Sequence, residues 1–147
     1  MIKLIEGGSS TDSRGRIRFV NDFNMEFVKR FYLIKNAGSS VVRGWRGHRI
    51  EQRWFFSVVG SFDIRIVEID NWLAPDRDST ILCYKLKAND NIVLNVPNGY
   101  ATAISSIEEN SELLVFSDFD IHHAKEDDYY YDLDYFHQFS SKSLGLE

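Results

Sequence analysis

Residues 53–69 read Arg53-Trp54-Phe55-Phe56-Ser57-Val58-Val59, then Gly60-Ser61, then Phe62-Asp63-Ile64-Arg65-Ile66-Val67-Glu68-Ile69. The first run is almost continuously apolar, as a strand buried on both faces is. The second alternates strictly. Phe62, Ile64 and Ile66 fall on one face, with Glu68 extending the row, while Asp63, Arg65, Val67 and Ile69 fall on the other. Gly60-Ser61 is a turn signal between them. The same character recurs in both directions along the chain, at 16–20, 28–35, 80–86, 91–96, 101–107 and 112–116. Turn signals at Gly7-Gly8, Asn36-Ala37-Gly38, Asn89-Asp90 and Pro97-Asn98-Gly99 punctuate these runs. About eight short strands with a turn every 8–12 residues predict an all-β sandwich or barrel. No capped helical period precedes residue 120. From Glu126 the chain turns acidic and aromatic, with six residues Tyr or Phe. That stretch is expected as a short helix or an extended arm, packed on the barrel or on a second subunit.

The bulk numbers narrow the function classes. The chain has 147 residues, enough for one domain with a sizeable core. Its net charge is -5, which speaks against general nucleic-acid binding. Cys83 is the one cysteine, so an intrachain disulfide and a cysteine-built zinc site are both excluded. No run approaches the ~20 apolar residues of a membrane span. The N-terminus lacks the apolar core and cleavage site of a signal peptide. A cytoplasmic location is the expectation.

One segment stands out from the strand pattern: Val41-Val42-Arg43-Gly44-Trp45-Arg46-Gly47-His48. It is read as the end of a strand at a barrel mouth. Its glycines are assigned to turn geometry, and Trp45, like Trp54, to packing. Five arginines lie between positions 43 and 65, a local basic patch on an acidic chain.

The order of motifs carries a resemblance. Asp12-Ser13-Arg14-Gly15 precedes Lys29-Arg30-Phe31-Tyr32, then Val42-Arg43-Gly44-Trp45, then Val59-Gly60-Ser61-Phe62-Asp63-Ile64. Val96-Pro97-Asn98-Gly99-Tyr100-Ala101 and Glu112-Leu113-Leu114-Val115-Phe116-Ser117-Asp118 follow. Over residues 12–119 this resembles the cupin-type dTDP-4-dehydrorhamnose 3,5-epimerases and the WxcM-like dTDP-4-keto-6-deoxyhexose 3,4-ketoisomerases. The resemblance implies one cupin-like jelly-roll β-barrel domain over 1–147, its core about 12–119, with a C-terminal arm about 120–140. It implies a homodimer, a nucleotide sugar in the barrel mouth, and no metal or other cofactor. The implied chemistry is proton abstraction next to a keto group, with a histidine base and a stabilised enolate.

Residue by residue, the resemblance transfers unevenly. Both groups of enzymes place a histidine where this chain has Arg46, and a guanidinium is not a conventional base. His48 matches the second histidine of the ketoisomerases and is the remaining proton carrier, with Tyr32 or Tyr100 as acid. The epimerases' later histidine is replaced by Thr102, and their tyrosine acid by Val115 or Phe116. Arg14 and Arg43 are expected at the diphosphate, Arg46 at the enolate, and Gln52 among the substrate-binding residues. A metal-dependent cupin is disfavoured, because His48 with Glu51 or Gln52 is a poor remnant of its ligand set. His122-His123, read on a strand, point to opposite faces. Two functions remain: a sugar-nucleotide epimerase or isomerase, and a non-catalytic sugar-nucleotide or carbohydrate-binding cupin that has lost its proton relay.

Overall fold

A computed structural model describes residues 1–137. Twelve strands are found among them: β1 (Lys3–Glu6), β2 (Gly8–Asp12), β3 (Gly15–Phe19), β4 (Arg30–Ile34), β5 (Val42–His48), β6 (Arg53–Val59), β7 (Ser61–Glu68), β8 (Leu82–Lys87), β9 (Ile92–Val96), β10 (Tyr100–Ser106), β11 (Glu112–Ser117) and β12 (Tyr129–Tyr130). Two five-stranded antiparallel sheets pack on each other. One is ordered β1-β9-β6-β11-β4 and the other β12-β5-β10-β7-β8, while β2 and β3 form a separate hairpin. The all-β, cupin-like expectation holds. The ladders are two sheets rather than one closed barrel, with β4 ending the first and β12 beside β5 ending the second.

The alternation of 53–69 is what builds the interior. Phe62, Ile64 and Ile66 of β7 meet Phe55 of β6, Leu94 of β9 and Leu113 and Val115 of β11 in the core between the sheets. The opposite face of β7 does not go to water. Val67, with Trp45 of β5 and Ala101 and Ala103 of β10, forms a second apolar cluster, which the C-terminal segment covers with Phe136. The described part of the aromatic arm is therefore an in-chain lid on the outer face of the second sheet; residues 138–140 of the expected arm lie outside the described residues. Tyr131 exchanges backbone hydrogen bonds with Trp45 in both directions, and its hydroxyl donates to the Trp72 carbonyl at 2.8 Å. Tyr131→Phe removes only that last bond and leaves a half-buried acceptor, so it is expected to cost about 1 kcal/mol in urea unfolding.

Two sequence readings change here. Val42–His48 is a whole strand rather than a strand end. Its glycines serve close packing, not a turn: a Cβ on Gly44 would sit 2.6 Å from Ala103 Cα, and one on Gly47 would sit 2.8 Å from the Trp72 ring. His122 and His123 lie in a short 3-10 helix, Ile121–Asp127, not on a strand, and both are exposed. Asp120 starts that helix by accepting from the His122 amide.

Candidate active site

The period of two decides which polar groups enter the interior. On β4 it turns Tyr32 and Ile34 inward. On β6 it places Arg53 on the same face as Phe55, and on β10 it places Thr102 beside Ile104. Where the two sheets part, these residues and β5 line a cavity of about 680 Å³, walled by Tyr32, Lys35, Arg43, Arg46, Arg53, Thr102, Ile104 and Tyr130 among others. Four of its lining residues are cations and none is a carboxylate. A smaller recess of about 230 Å³ shares Tyr32 and Arg46 with it and adds Arg30, His48 and Glu51. The pair forms a trough along β5, from Arg43 through Arg46 to His48.

The charges in this trough are not equally free. Arg46 forks onto Asp128, Nε to Oδ1 at 2.6 Å and Nη2 to Oδ2 at 2.7 Å. That bond pushes the guanidinium pKa further up, so Arg46 never gives up its proton. Burial alone would raise the Asp128 carboxyl, but its bonds from Arg46 and Tyr130 outweigh this and hold it low. Arg53 is different. It is 4% exposed, gives Nη2 to Thr102 Oγ1 at 3.0 Å, and lies over the Phe55 ring. Among the described residues no carboxylate oxygen comes within 4.0 Å of it. Arg43 gives Nε to Asn36.

His48 is buried, and its Nδ1 lies 2.8 Å from the Asp127 carbonyl. A carbonyl only accepts, so Nδ1 carries the hydrogen and the lone pair is on Nε2. Burial, then the charge of Arg53, push the ring pKa down to about 3, against the smaller opposing pull of the Asp127 carbonyl. The ring is therefore neutral, and its 3.8 Å and 4.0 Å approaches to Glu51 and Asp127 are not ion pairs. Burial also raises the Glu51 carboxyl, against the charges of Arg53 and Arg30 and a bond from Ser117.

A pH dependence follows. The unfolded chain protonates its imidazole near 6.5 and the folded one near 3, so protons favour the unfolded chain between those values. His48's contribution is complete above pH 6.5. It falls by up to about 1.4 kcal/mol for each pH unit below that, until about pH 3. His48→Asn is expected to flatten this part of a stability-versus-pH curve, and the wild-type His48 ring signals are expected to stay unshifted in NMR from pH 8 to pH 5. A His48 titration midpoint near 6.5 would contradict the geometry.

Asp127 organises this end of the trough. Oδ1 accepts from the Arg49 and Ile50 amides, and Oδ2 from the Ile50 and Glu51 amides, at 2.7–3.0 Å. His48, Glu51 and Asp127 bring one potential ligand atom each within 4.8 Å of one another. Both Asp127 oxygens accept amides and Nδ1 of His48 is on a carbonyl, so a cation here would have to use His48 Nε2 and Glu51, against the positive potential of Arg53 and Arg46.

The remaining sequence candidates are dispersed. Tyr32, Arg43, Arg46 and His48 come together in the trough. Arg14 sits at the β2–β3 turn, its side chain 85% exposed and paired with Asp12, away from both cavities. Tyr100 stands opposite His48 in the β5–β10 register but lines another recess, with Glu68, Asp70 and Asp76. Gln52 is held by Asp118 and Asn95 and lines neither cavity. Sequence reasoning gave Arg53 no role beyond local charge. Its signal was parity, a lone arginine on the core-facing row of an apolar strand. Asp128 and Tyr130 lie outside the motif region, in the acidic and aromatic tail whose tyrosines the sequence assigns to packing and whose carboxylates it offers only as partners for Arg43 or Arg46.

Comparison with known proteins agrees with this architecture. A family model described as FdtA, WxcM-like, C-terminal, matches residues 1–141. No curated protein matches. Among solved structures, a dTDP-4-dehydrorhamnose 3,5-epimerase from Sulfolobus tokodaii superposes with a TM-score of 0.73 at 19% identity, over 98% of this chain and 88% of that one. A 3,4-ketoisomerase from Helicobacter canadensis gives 0.69 at 15% identity, over 94% and 96%. A mutant of a 3,4-ketoisomerase from Thermoanaerobacterium thermosaccharolyticum, in complex with TDP-4-keto-6-deoxyglucose, gives 0.67 at 18% identity, over 99% and 97%.

Proposed function

The chain belongs to the FdtA family of WxcM-like domains, and from that premise we propose that it is a sugar-nucleotide isomerase acting on a dTDP-4-keto-6-deoxyhexose held in the trough along β5. One observation carries the reading: a chain of net charge -5 lines this cavity with Lys35, Arg43, Arg46 and Arg53 and, among the described residues, no carboxylate. Such a field suits a nucleoside diphosphate. Arg43 and Lys35 take the phosphates. The sugar lies toward Tyr32, Arg53 and His48. The whole chain is then one cupin-like domain, and a homodimer and a cytoplasmic location belong to the same reading.

The proton next to a C4 keto group is acidic because the carbanion delocalises onto the carbonyl oxygen. His48 Nε2 takes the C3 proton, and the negative charge collects on O4. Arg53, a buried cation without a carboxylate partner among the described residues, meets that oxygen, a role the sequence suggests for Arg46. Tyr32 borders both recesses and donates on return, whereas Tyr100 opens on another recess and is not assigned. In ketoisomerisation Tyr32 protonates O4, the C3 hydroxyl passes its proton back to the Tyr32 phenolate, and His48 returns its proton to C4, so a 3-hydroxy-4-ketone becomes a 4-hydroxy-3-ketone. His48 at a pKa of about 3 is a weak base in the empty protein. A bound diphosphate and the developing enolate offset the Arg53 and Arg46 charges that depress it, which raises the pKa when it matters.

The low pKa of His48 and the engagement of Arg46 by Asp128 favour a second reading, a binding module without turnover. Incubation with dTDP-4-keto-6-deoxyglucose in deuterated water, followed by NMR, separates the two. The isomerase exchanges the C3 proton and His48→Asn does not. Ligand-induced protein shifts without exchange would establish the binding module instead.

A further inference from the structure

The C-terminal strand β12 is two residues long and pairs with the edge of β5, placing Tyr129 opposite Gly47 and Tyr130 opposite Arg46. It lies outside the motifs of residues 12–119, though within the residues 1–141 that the family model matches. Tyr130 nevertheless lines the cavity, and the residue is 66% exposed. Its hydroxyl donates to Asp128 Oδ2 at 2.9 Å, and the Arg46 guanidinium lies 5.3 Å from its ring centre. Asp128 does not itself line the cavity; it ties together Arg46 and Tyr130, which do.

The charge of this array differs from that of the rest of the wall. Arg46 and Asp128 cancel, so the pair is not the holder of a dianionic phosphate; Arg43 and Lys35 remain for that. Only Nε and Nη2 of Arg46 are used by Asp128, and its side chain stays 48% exposed. The guanidinium edge that Asp128 leaves free donates, and a sugar hydroxyl accepts. An aromatic ring next to that edge matches the apolar C–H face of a pyranose. The array is also held in place without a ligand. Trp72 packs on Tyr129 with ring centres 4.8 Å apart, and Asp127 is clasped by three amides. Little ordering cost is left for binding.

We propose that β12 carries the sugar subsite of this cavity, with Arg46, positioned by Asp128, donating to a hexose hydroxyl and Tyr130 stacking on the ring's apolar face. The assignment rests on the sugar-nucleotide reading above and adds residues that the family motifs do not include.

Calorimetric titration with dTDP and with dTDP-glucose tests it. The wild type is expected to bind dTDP-glucose at least about 10-fold more tightly than dTDP. Asp128→Asn and Tyr130→Ala are each expected to reduce that ratio to about 2-fold or less, without weakening dTDP itself. Asp128→Asn also removes a negative charge beside the cavity, so its dTDP affinity is expected to hold or rise. The proposal is overturned if both ligands weaken by the same factor in the variants, if the ratio survives both substitutions, or if the wild type binds the two equally. Binding of neither ligand by the wild type would instead sink the sugar-nucleotide reading, and the subsite with it.

Discussion

Arg53→Gln is expected to slow proton exchange at C3 of the keto sugar by about 10²–10³-fold, the usual cost of removing one donor from a developing oxyanion. Glutamine retains a side-chain amide that reaches toward Thr102 Oγ1, so the strand pairing of β6 with β9 and β11 has no reason to change. The substitution carries a second readout that needs no substrate. After burial, the Arg53 charge is the largest cause holding the His48 ring down to about 3. Without it the ring is expected to titrate closer to its ordinary 6.5, visible in the NMR signals of His48. Lost exchange with an unmoved His48 would separate the two roles. An unmoved His48 with unchanged exchange would remove Arg53 from the site altogether.

The second large effect concerns the clasp. Asp127 is 1% exposed, and its carboxylate satisfies three consecutive amides of the turn after β5, while its carbonyl fixes the His48 tautomer. Asp127→Ala leaves those donors, one buried and two part-buried, without their acceptor and is expected to cost about 2–4 kcal/mol, since bonds to a charged acceptor contribute more than neutral ones. For a chain this long that lowers Tm on the order of 10 °C. Asp127→Asn keeps one acceptor oxygen and is expected to lose about half as much. The variant should also loosen β12, because Asp127 lies directly before the Asp128–Tyr130 segment. A thermal melt of Asp127→Ala within 2–3 °C of wild type would show that water or another group satisfies the turn.

How far the sequence leads depends on what each residue must satisfy. Strict alternation in Phe62–Ile69 places Phe62, Ile64 and Ile66 in the core and Val67 and Ile69 opposite, because a strand between two apolar layers has no other choice. β1 and β2 escaped notice because Lys3–Glu6 and Gly8–Asp12 are mostly exposed and carry no apolar row. β5 was legible only as a strand end, since glycine and arginine depress strand propensity. The glycines there answer to Ala103 and Trp72, neighbours distant in sequence. Arg43, Arg46 and His48 were found because they sit within the Arg-Gly-Trp motif. Arg53 was visible by parity yet was assigned only charge. Gln52 and Arg14 followed the motif and not the cavity, as Gln52 turns to Asp118 and Asn95 and Arg14 to Asp12. Asp128 and Tyr130 reach Arg46 across more than eighty residues, a contact that no local spacing announces.

A crystal structure of the protein grown with dTDP tests the central claim most directly. The account predicts the diphosphate in the cavity between β4 and β5, within hydrogen-bond distance of Arg43 and with Arg53 pointing at the adjoining space left for the sugar. A nucleotide bound elsewhere on the chain, or a cavity that stays empty at saturating dTDP, would contradict it.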